Sequence, residues 1–272
     1  MSFSSLFYRG VRLLCRPFVK LDKKIERKQE YNTCKNAKNA AKKVLTMTFA
    51  NQRDPFFEKI NVITHAGGGL QGMAYLNCEE SFSFYYEKGN RVFEYDVDEK
   101  DEVFILAHIE DGNEGDLDGR FTPLTIEKAL DNLKSYLDII VIFDCKFKNL
   151  KTFAQYVKDY VEEESALNRV VIQVFNEENV LQVREVYDFK MLHVCMMATD
   201  YVETMQTCIK YKIGAVSISN KALNERFDWG VFEKNNVCVF AYTVNTVKEY
   251  QAWKDEGITG VFSDFLYNTD VQ

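Results

Sequence analysis

Ile139-Ile140-Val141-Ile142-Phe143-Asp144-Cys145-Lys146 is an uninterrupted run of β-branched and aromatic residues that ends in a carboxylate and an ammonium. Such a run predicts a strand, with the charged pair emerging from its end. The design recurs on both sides of it, at Ile60–Thr64, Val92–Val97, Val170–Phe175, Leu192–Met197, Ala215–Ser219, Val237–Thr243 and Gly260–Phe262, which makes eight strand candidates in all. The intervening stretches, among them Cys78–Glu87, Thr125–Tyr136, Lys151–Glu164 and Thr246–Glu256, have the length and spacing of crossover helices. Eight strand–helix units in about 220 residues predict an α/β fold closed as a (β/α)₈ TIM barrel, the competing arrangement being a doubly wound open sheet.

The 272 residues, 46% of them hydrophobic, suffice for one large core, and barrels of this kind use about 250 residues as one domain. Residues 1–50 are helix-prone and Lys-rich, so the expected division is a basic helical extension at 1–50 and a barrel at 51–272. Residues 1–45 hold 12 Lys and Arg against three acidic residues, a charge of +9, which leaves 22 against 38, or −16, for the remainder. An acidic body argues against nucleic acid as the principal partner. Within residues 1–20, Phe3, Leu6, Phe7, Val11, Leu13, Leu14, Phe18 and Val19 alternate with Arg9, Arg12, Arg16 and Lys20. That mixture suits either peripheral contact with an anionic membrane or an extra helix packed across the barrel. Seven cysteines without a paired spacing fit a reducing compartment. No apolar run reaches the ~18 residues of a spanning helix. The expected location is therefore cytoplasmic, with peripheral attachment at the inner membrane surface as an option.

The residues that can do chemistry cluster at the ends of the predicted strands. Ile60–Thr64 runs into His65-Ala66-Gly67-Gly68-Gly69, which puts a titratable ring at what would be the active-site face of a barrel. In Arg91-Val92-Phe93-Glu94-Tyr95-Asp96-Val97 the two-residue period of a strand sets Glu94 and Asp96 on one face. Two buried carboxylates side by side call for a hard divalent cation such as Mg²⁺ or Ca²⁺, whereas two solvated ones do not. Asp144 is a third carboxylate of the same kind, and Lys146 a partner for a phosphodiester oxygen. His108 ends another apolar run, Glu102–Ala107, while His193 reads as a core or barrel-lining residue. A strict hairpin centred between Asp98 and Asp101 would pair His108 with Arg91, away from Asp96, so an irregular connection is expected there.

Read in order, His65-Ala66-Gly67, Asn77-Cys78-Glu79-Glu80-Ser81-Phe82, Glu94-Tyr95-Asp96 and His108 resemble the glycerophosphodiester phosphodiesterases of the phosphatidylinositol-phospholipase-C-like barrels. Thr122-Pro123-Leu124 with Glu127, Ala241-Tyr242-Thr243-Val244-Asn245 and Gly257–Asp264 extend the resemblance over residues 58–266. The resemblance implies metal-dependent hydrolysis of a glycerophosphodiester or related phosphodiester to an alcohol and a phosphomonoester. It further implies His65 and His108 as the acid/base pair, and Glu94, Asp96 and Asp144 as ligands of a divalent cation. Lys146, Gly67, Asn77, Gln173 and Tyr242 would then contact the substrate. Two positions depart from the family pattern: Ala66 stands where an arginine is usual, and Asp144 where a glutamate is. Losing the arginine removes a bidentate phosphate partner. A barrel that only binds phosphodiesters, as a weakly active or inactive regulatory module, is the competing expectation. The short stretch from His108 to Ile139 leaves room for a larger head group, such as part of a cell-surface polymer.

Overall fold

A computed structural model describes residues 52–107, 119–197, 200–224 and 229–271. The expected extension at 1–50, the polar loop before Gly119 and His108 itself lie outside the described residues.

Among the described residues nine strands are present: β1 (Val62–Thr64), β2 (Val92–Lys100), β3 (Val103–Leu106), β4 (Ile140–Cys145), β5 (Val170–Val174), β6 (Lys190–Cys195), β7 (Ala215–Ser219), β8 (Cys238–Tyr242) and β9 (Gly260–Ser263). Every predicted run overlaps one of them. Eight are parallel and pair in the order β1, β2, β4, β5, β6, β7, β8, β9, and β9 returns to β1 through Val62↔Val261 and Thr64↔Ser263, so the barrel closes. Closure excludes the open doubly wound sheet.

Along each strand alternate residues point inward. Ile63, Val92, Ile142, Val171, Leu192, Ala215, Cys238, Phe240 and Phe262 meet there in one cluster. A single helical turn, α1 (Pro55–Glu58), inserts Phe57 into the same cluster and is capped by Asp54, whose carboxylate accepts from the Phe56 N–H at 3.0 Å. The longer crossover helices start on side chains chosen for that end. Thr125 caps α2 (Ile126–Ser135), Asn149 caps α3 (Leu150–Val161), Asn176 caps α4 (Glu177–Arg184) and Thr246 caps α5 (Val247–Asp255). Each accepts a backbone N–H three residues on, the bond that satisfies an otherwise orphaned first-turn donor.

The ninth strand, β3, runs antiparallel to β2 and was not among the eight predicted. Its register, Val97↔Leu106 to Lys100↔Val103, leaves Asp101 and Glu102 as a two-residue turn, both at positive φ. The connection is thus regular, and the expected irregularity is absent. The turn sits two residues later than the centre assumed from the sequence, and this carries Ala107 to Asp96, where the Ala107 N–H donates to the Asp96 carbonyl at 3.1 Å.

His193 is buried, but not inside the barrel. Its neighbours Leu192 and Val194 both belong to the inner cluster, so its ring points to the helix layer. Nδ1 donates to the Val194 carbonyl at 3.0 Å while Nε2 is buried without a partner. Burial holds the ring neutral and lowers its pKa from 6.5 to about 4, against the smaller opposing effect of the Val194 carbonyl. Between these two pH values the unfolded chain binds the proton and the folded one does not, so stability rises with pH across that window. The contribution is intact above pH ~6.5 and about 3 kcal/mol smaller by pH ~4. Urea unfolding of His193→Gln against the parent at pH 7 and pH 4.5 checks this: the variant should lose less stability on acidification, and parallel losses would refute it.

Candidate active site

Two rules of strand geometry assemble an acidic cluster at the C-terminal end of the barrel. Glu94 and Asp96 are two residues apart on β2 and share its inner face, and β4 lies beside β2 in a register that pairs Asp96 with Asp144. One carboxylate oxygen from each of Glu94, Asp96 and Asp144 lies within 4.8 Å of the others. Glu94 and Asp96 are each only 1% exposed. The Lys146 ammonium, two residues past Asp144, binds Asp144 Oδ2 at 2.6 Å and Asp96 Oδ1 at 3.1 Å. The other oxygens, Asp96 Oδ2 and Asp144 Oδ1, are buried with no hydrogen-bond partner. Buried carboxylate oxygens without a partner are costly, and three converging carboxylates are the donor set of a hard divalent cation. The residues present fit such an ion.

His65 follows β1 at the same end. Its Nδ1 bonds Asp264 Oδ1 at 2.8 Å, and Asp264 Oδ2 accepts from Asn245 Nδ2 at 2.8 Å. Asn245 Oδ1 in turn accepts from the Asp264 N–H and the Ser263 hydroxyl. This chain fixes the ring and assigns the proton-bearing nitrogen to Asp264, so Nε2 is the atom left for a substrate. Tyr75 meets the ring edge-on, with centroids 5.1 Å apart. Asp264 and Asn245 lie in segments whose resemblance was noted but to which the sequence assigned no role; the available signal was a carboxylate directly after the last strand.

The turn His65–Gly67 joins the histidine to the acids. The Ala66 N–H donates to Glu94 Oε2 at 2.7 Å from a left-handed backbone. Ala66 is fully buried, so an arginine here would have to displace neighbouring side chains. Gly68 has φ +89°, and a Cβ on it would meet the Tyr85 ring at 2.4 Å. Tyr85 uses its hydroxyl to hold the Gly69 and Asp264 carbonyls, at 2.9 and 2.5 Å. Gly67 and Asn77, expected at the substrate, are not on the cavity wall. A Cβ on Gly67 would come within 2.8 Å of Asn77 Cα, so the missing side chain serves backbone packing behind the site.

Charge is concentrated strongly. Burial would lower the pKa of His65, but the bond to Asp264 and the charges of Glu94 and Asp96 outweigh it and raise it to about 9. Burial and then the neighbouring Asp96 push Glu94 up to about 8. Asp144 is also raised, chiefly by burial, despite the favourable charge of Lys146. Lys146 is raised by Asp144 and Asp96 against its own desolvation. The raised His65 and Lys146 reflect the carboxylates around them, whereas the raised Glu94 and Asp144 reflect first their burial and then the charge of Asp96.

These groups face a cavity of about 420 Å³ that Gln173, Phe175, Val194, Met196, Ser217, Ser219 and Tyr242 also line. Gln173 and Tyr242 are therefore on the wall as expected, together with His65, Glu94, Asp96, Asp144 and Lys146. His108 follows Ala107, the residue bonded to Asp96, and lies outside the described residues.

Among solved structures the chain is similar to a phosphodiesterase of Oleispira antarctica in complex with sn-glycerol-3-phosphate, at 14% identity and TM-score 0.57, over 78% of this chain and 95% of that one. It is similar also to a glycerophosphodiester phosphodiesterase of Parabacteroides distasonis, at 17% identity and TM-score 0.58, over 79% and 94%. At such identities the likeness shows the fold alone. No curated protein sequence matches this chain. The glycerophosphoryl diester phosphodiesterase family model matches residues 127–267, which hold Asp144, Lys146, Gln173, Tyr242, Asn245 and Asp264 and exclude the β1 and β2 residues of the site. That span is just over half of the sequence, and the chain belongs to the glycerophosphoryl diester phosphodiesterase family of phosphoric diester hydrolases.

Proposed function

We propose that the chain hydrolyses a glycerophosphodiester or a related phosphodiester to an alcohol and a phosphomonoester, with a divalent cation held by Glu94, Asp96 and Asp144. The observation that carries the reading is the convergence of those three carboxylates, Glu94 and Asp96 buried and Asp144 partly so, beside a histidine oriented by Asp264. A bound Mg²⁺ or Ca²⁺ supplies charge for a non-bridging phosphate oxygen. His65 and His108 move the protons. One takes a proton from the attacking water, or from a neighbouring hydroxyl of the substrate, and the other gives one to the oxygen of the departing alcohol as its bond to phosphorus breaks. Lys146 stands between the carboxylates and the substrate and answers the remaining phosphate charge, while Gln173 and Tyr242 meet the alcohol. The phosphomonoester product agrees with the glycerol phosphate named for the Oleispira structure.

Ala66 favours a second reading, a barrel that binds phosphodiesters with little or no turnover. One experiment separates the two. Hydrolysis of glycerophosphodiesters is followed with EDTA and after Mg²⁺ or Ca²⁺ is restored, and calorimetry measures cation binding in parallel. Turnover that EDTA abolishes and cation restores supports the first reading. Cation binding without turnover supports the second, and no cation binding refutes the metal site in both.

Among the described residues no helix is long and apolar enough to cross a membrane. Contact of residues 1–20 with anionic lipid, and the division of the chain near residue 50, stay proposals grounded in the sequence alone.

A further inference from the structure

The walls of the cavity differ in chemistry. His65, Glu94, Asp96, Asp144 and Lys146 make a charged side on β1, β2 and β4. Beyond Gln173 on β5 the next strands reach the cavity with apolar side chains: Phe175 just past β5, Val194 on β6 and Met196 just past β6. The pairing of Val174 with His193 carries Phe175 alongside Val194, so the three form one strip beginning beside β4. Met196 lines the cavity and is 57% exposed; Met197, the next residue, is 48% exposed. Isolated exposed apolar side chains need no explanation. Leu137 and Leu181 are of that kind. A thioether that continues a cavity wall, as Met196 does, is a different case, because methionine is flexible and polarizable and moulds to unbranched chains. On the other side of the strip, β7 offers Ser217 and Ser219, hydroxyl partners for a polar alcohol.

We propose that Phe175, Val194 and Met196 form an apolar subsite, with the exposed Met197 following at the rim, that takes an aliphatic chain carried by one of the two alcohols of the phosphodiester. The inference rests on the phosphodiesterase reading of the same site. It makes the preferred substrate amphiphilic: phosphate at the carboxylates and Lys146, hydroxyls toward β7, and the chain lying out over the rim past β6.

Alkylphosphocholines are phosphodiesters bearing one chain, so a series from two to ten carbons, held below the micelle threshold, tests the subsite with full-length protein and saturating Mg²⁺ or Ca²⁺. Calorimetry should show Kd tightening by about two- to fourfold per added methylene, the upper figure corresponding to complete burial. In Met196→Gln/Met197→Gln that dependence should flatten. If the double variant melts at a reduced temperature, Met196→Gln alone carries the comparison, since that side chain lines the cavity and is more than half in solvent. A Kd indifferent to chain length overturns the proposal, and so does a dependence that survives both variants. Binding that appears only above the micelle threshold counts against it too, since it would reflect adsorption to an aggregate. Because binding is read directly, the outcomes separate: chain-length dependence without hydrolysis keeps the subsite and removes the hydrolytic reading. Hydrolysis of chain-free diesters with a flat series does the reverse.

Discussion

His65→Ala lowers turnover of a glycerophosphodiester by ~10²–10⁴-fold while the barrel stays folded, the scale on which a positioned acid or base contributes. The ring is bonded to Asp264 and lines the cavity, so its loss removes a proton carrier and leaves the inner cluster untouched. His108→Ala is expected to cost a similar factor. Asp264→Asn is a finer probe, because Asp264 acts only through the ring. Turnover should fall by ~10–10²-fold, and the limb of the pH–rate profile that reports His65 should move to lower pH, since the partner that most raises its pKa has lost its charge. A general loss of packing would depress the rate without moving the limb. Full activity in both histidine variants on every phosphodiester tried would remove the acid/base assignment.

Glu94→Gln is expected to act in opposite directions on stability and on cation binding. Cation affinity should fall ~10²-fold or more in calorimetry, because one of three charged ligands is gone. The cation-free protein should instead become more stable at neutral pH. In the parent, Glu94 has a folded-state pKa of about 8, raised by burial and by Asp96. Folding therefore takes up a proton between the ordinary carboxylate pKa and 8, and this group's contribution to stability declines as pH rises through that interval. At pH 7 the penalty is of order 3 kcal/mol, and glutamine, which can still accept the Ala66 N–H, does not incur it. Thermal melts in EDTA from pH 5 to pH 8 should show the parent falling relative to the variant. Melting curves that stay parallel, or an unchanged cation affinity, would contradict the arrangement.

The barrel was legible because its strands are short β-branched runs between well-capped helices, and the period of two alone placed Glu94 with Asp96. Asp144 could be joined to them only as a carboxylate of the same kind at another strand end, since the β2–β4 register that sets it beside Asp96 is a property of the closed sheet. Asp264 escaped for the same reason: 199 residues separate it from His65, and only closure of β9 on β1 brings them together. Gly67 and Asn77 lie off the cavity wall; a glycine run beside a histidine looks the same in sequence whether it cradles a ligand or lets two backbones touch. β3 reads as an apolar run returning in a hairpin but is not counted among the eight, because it belongs to no crossover unit, and its turn is misplaced by two residues because it contains no glycine to announce it.

The β2–β3 hairpin sets a boundary on where this chain can accept change. Insertions or deletions between Asp98 and Ile105 alter the register that brings Ala107 to Asp96, and an odd-numbered slip turns the returning strand over. Among the described residues the next bridge past Ala107 ties Pro123 to Cys78. A lineage that needs to accept a new alcohol keeps the acidic cluster where it stands only if it leaves the count between Asp98 and Ile105 unchanged. Chimeras exchanging residues 109–120 with those of a relative should keep cation affinity while changing substrate preference; shifting the splice upstream by a few residues should forfeit both.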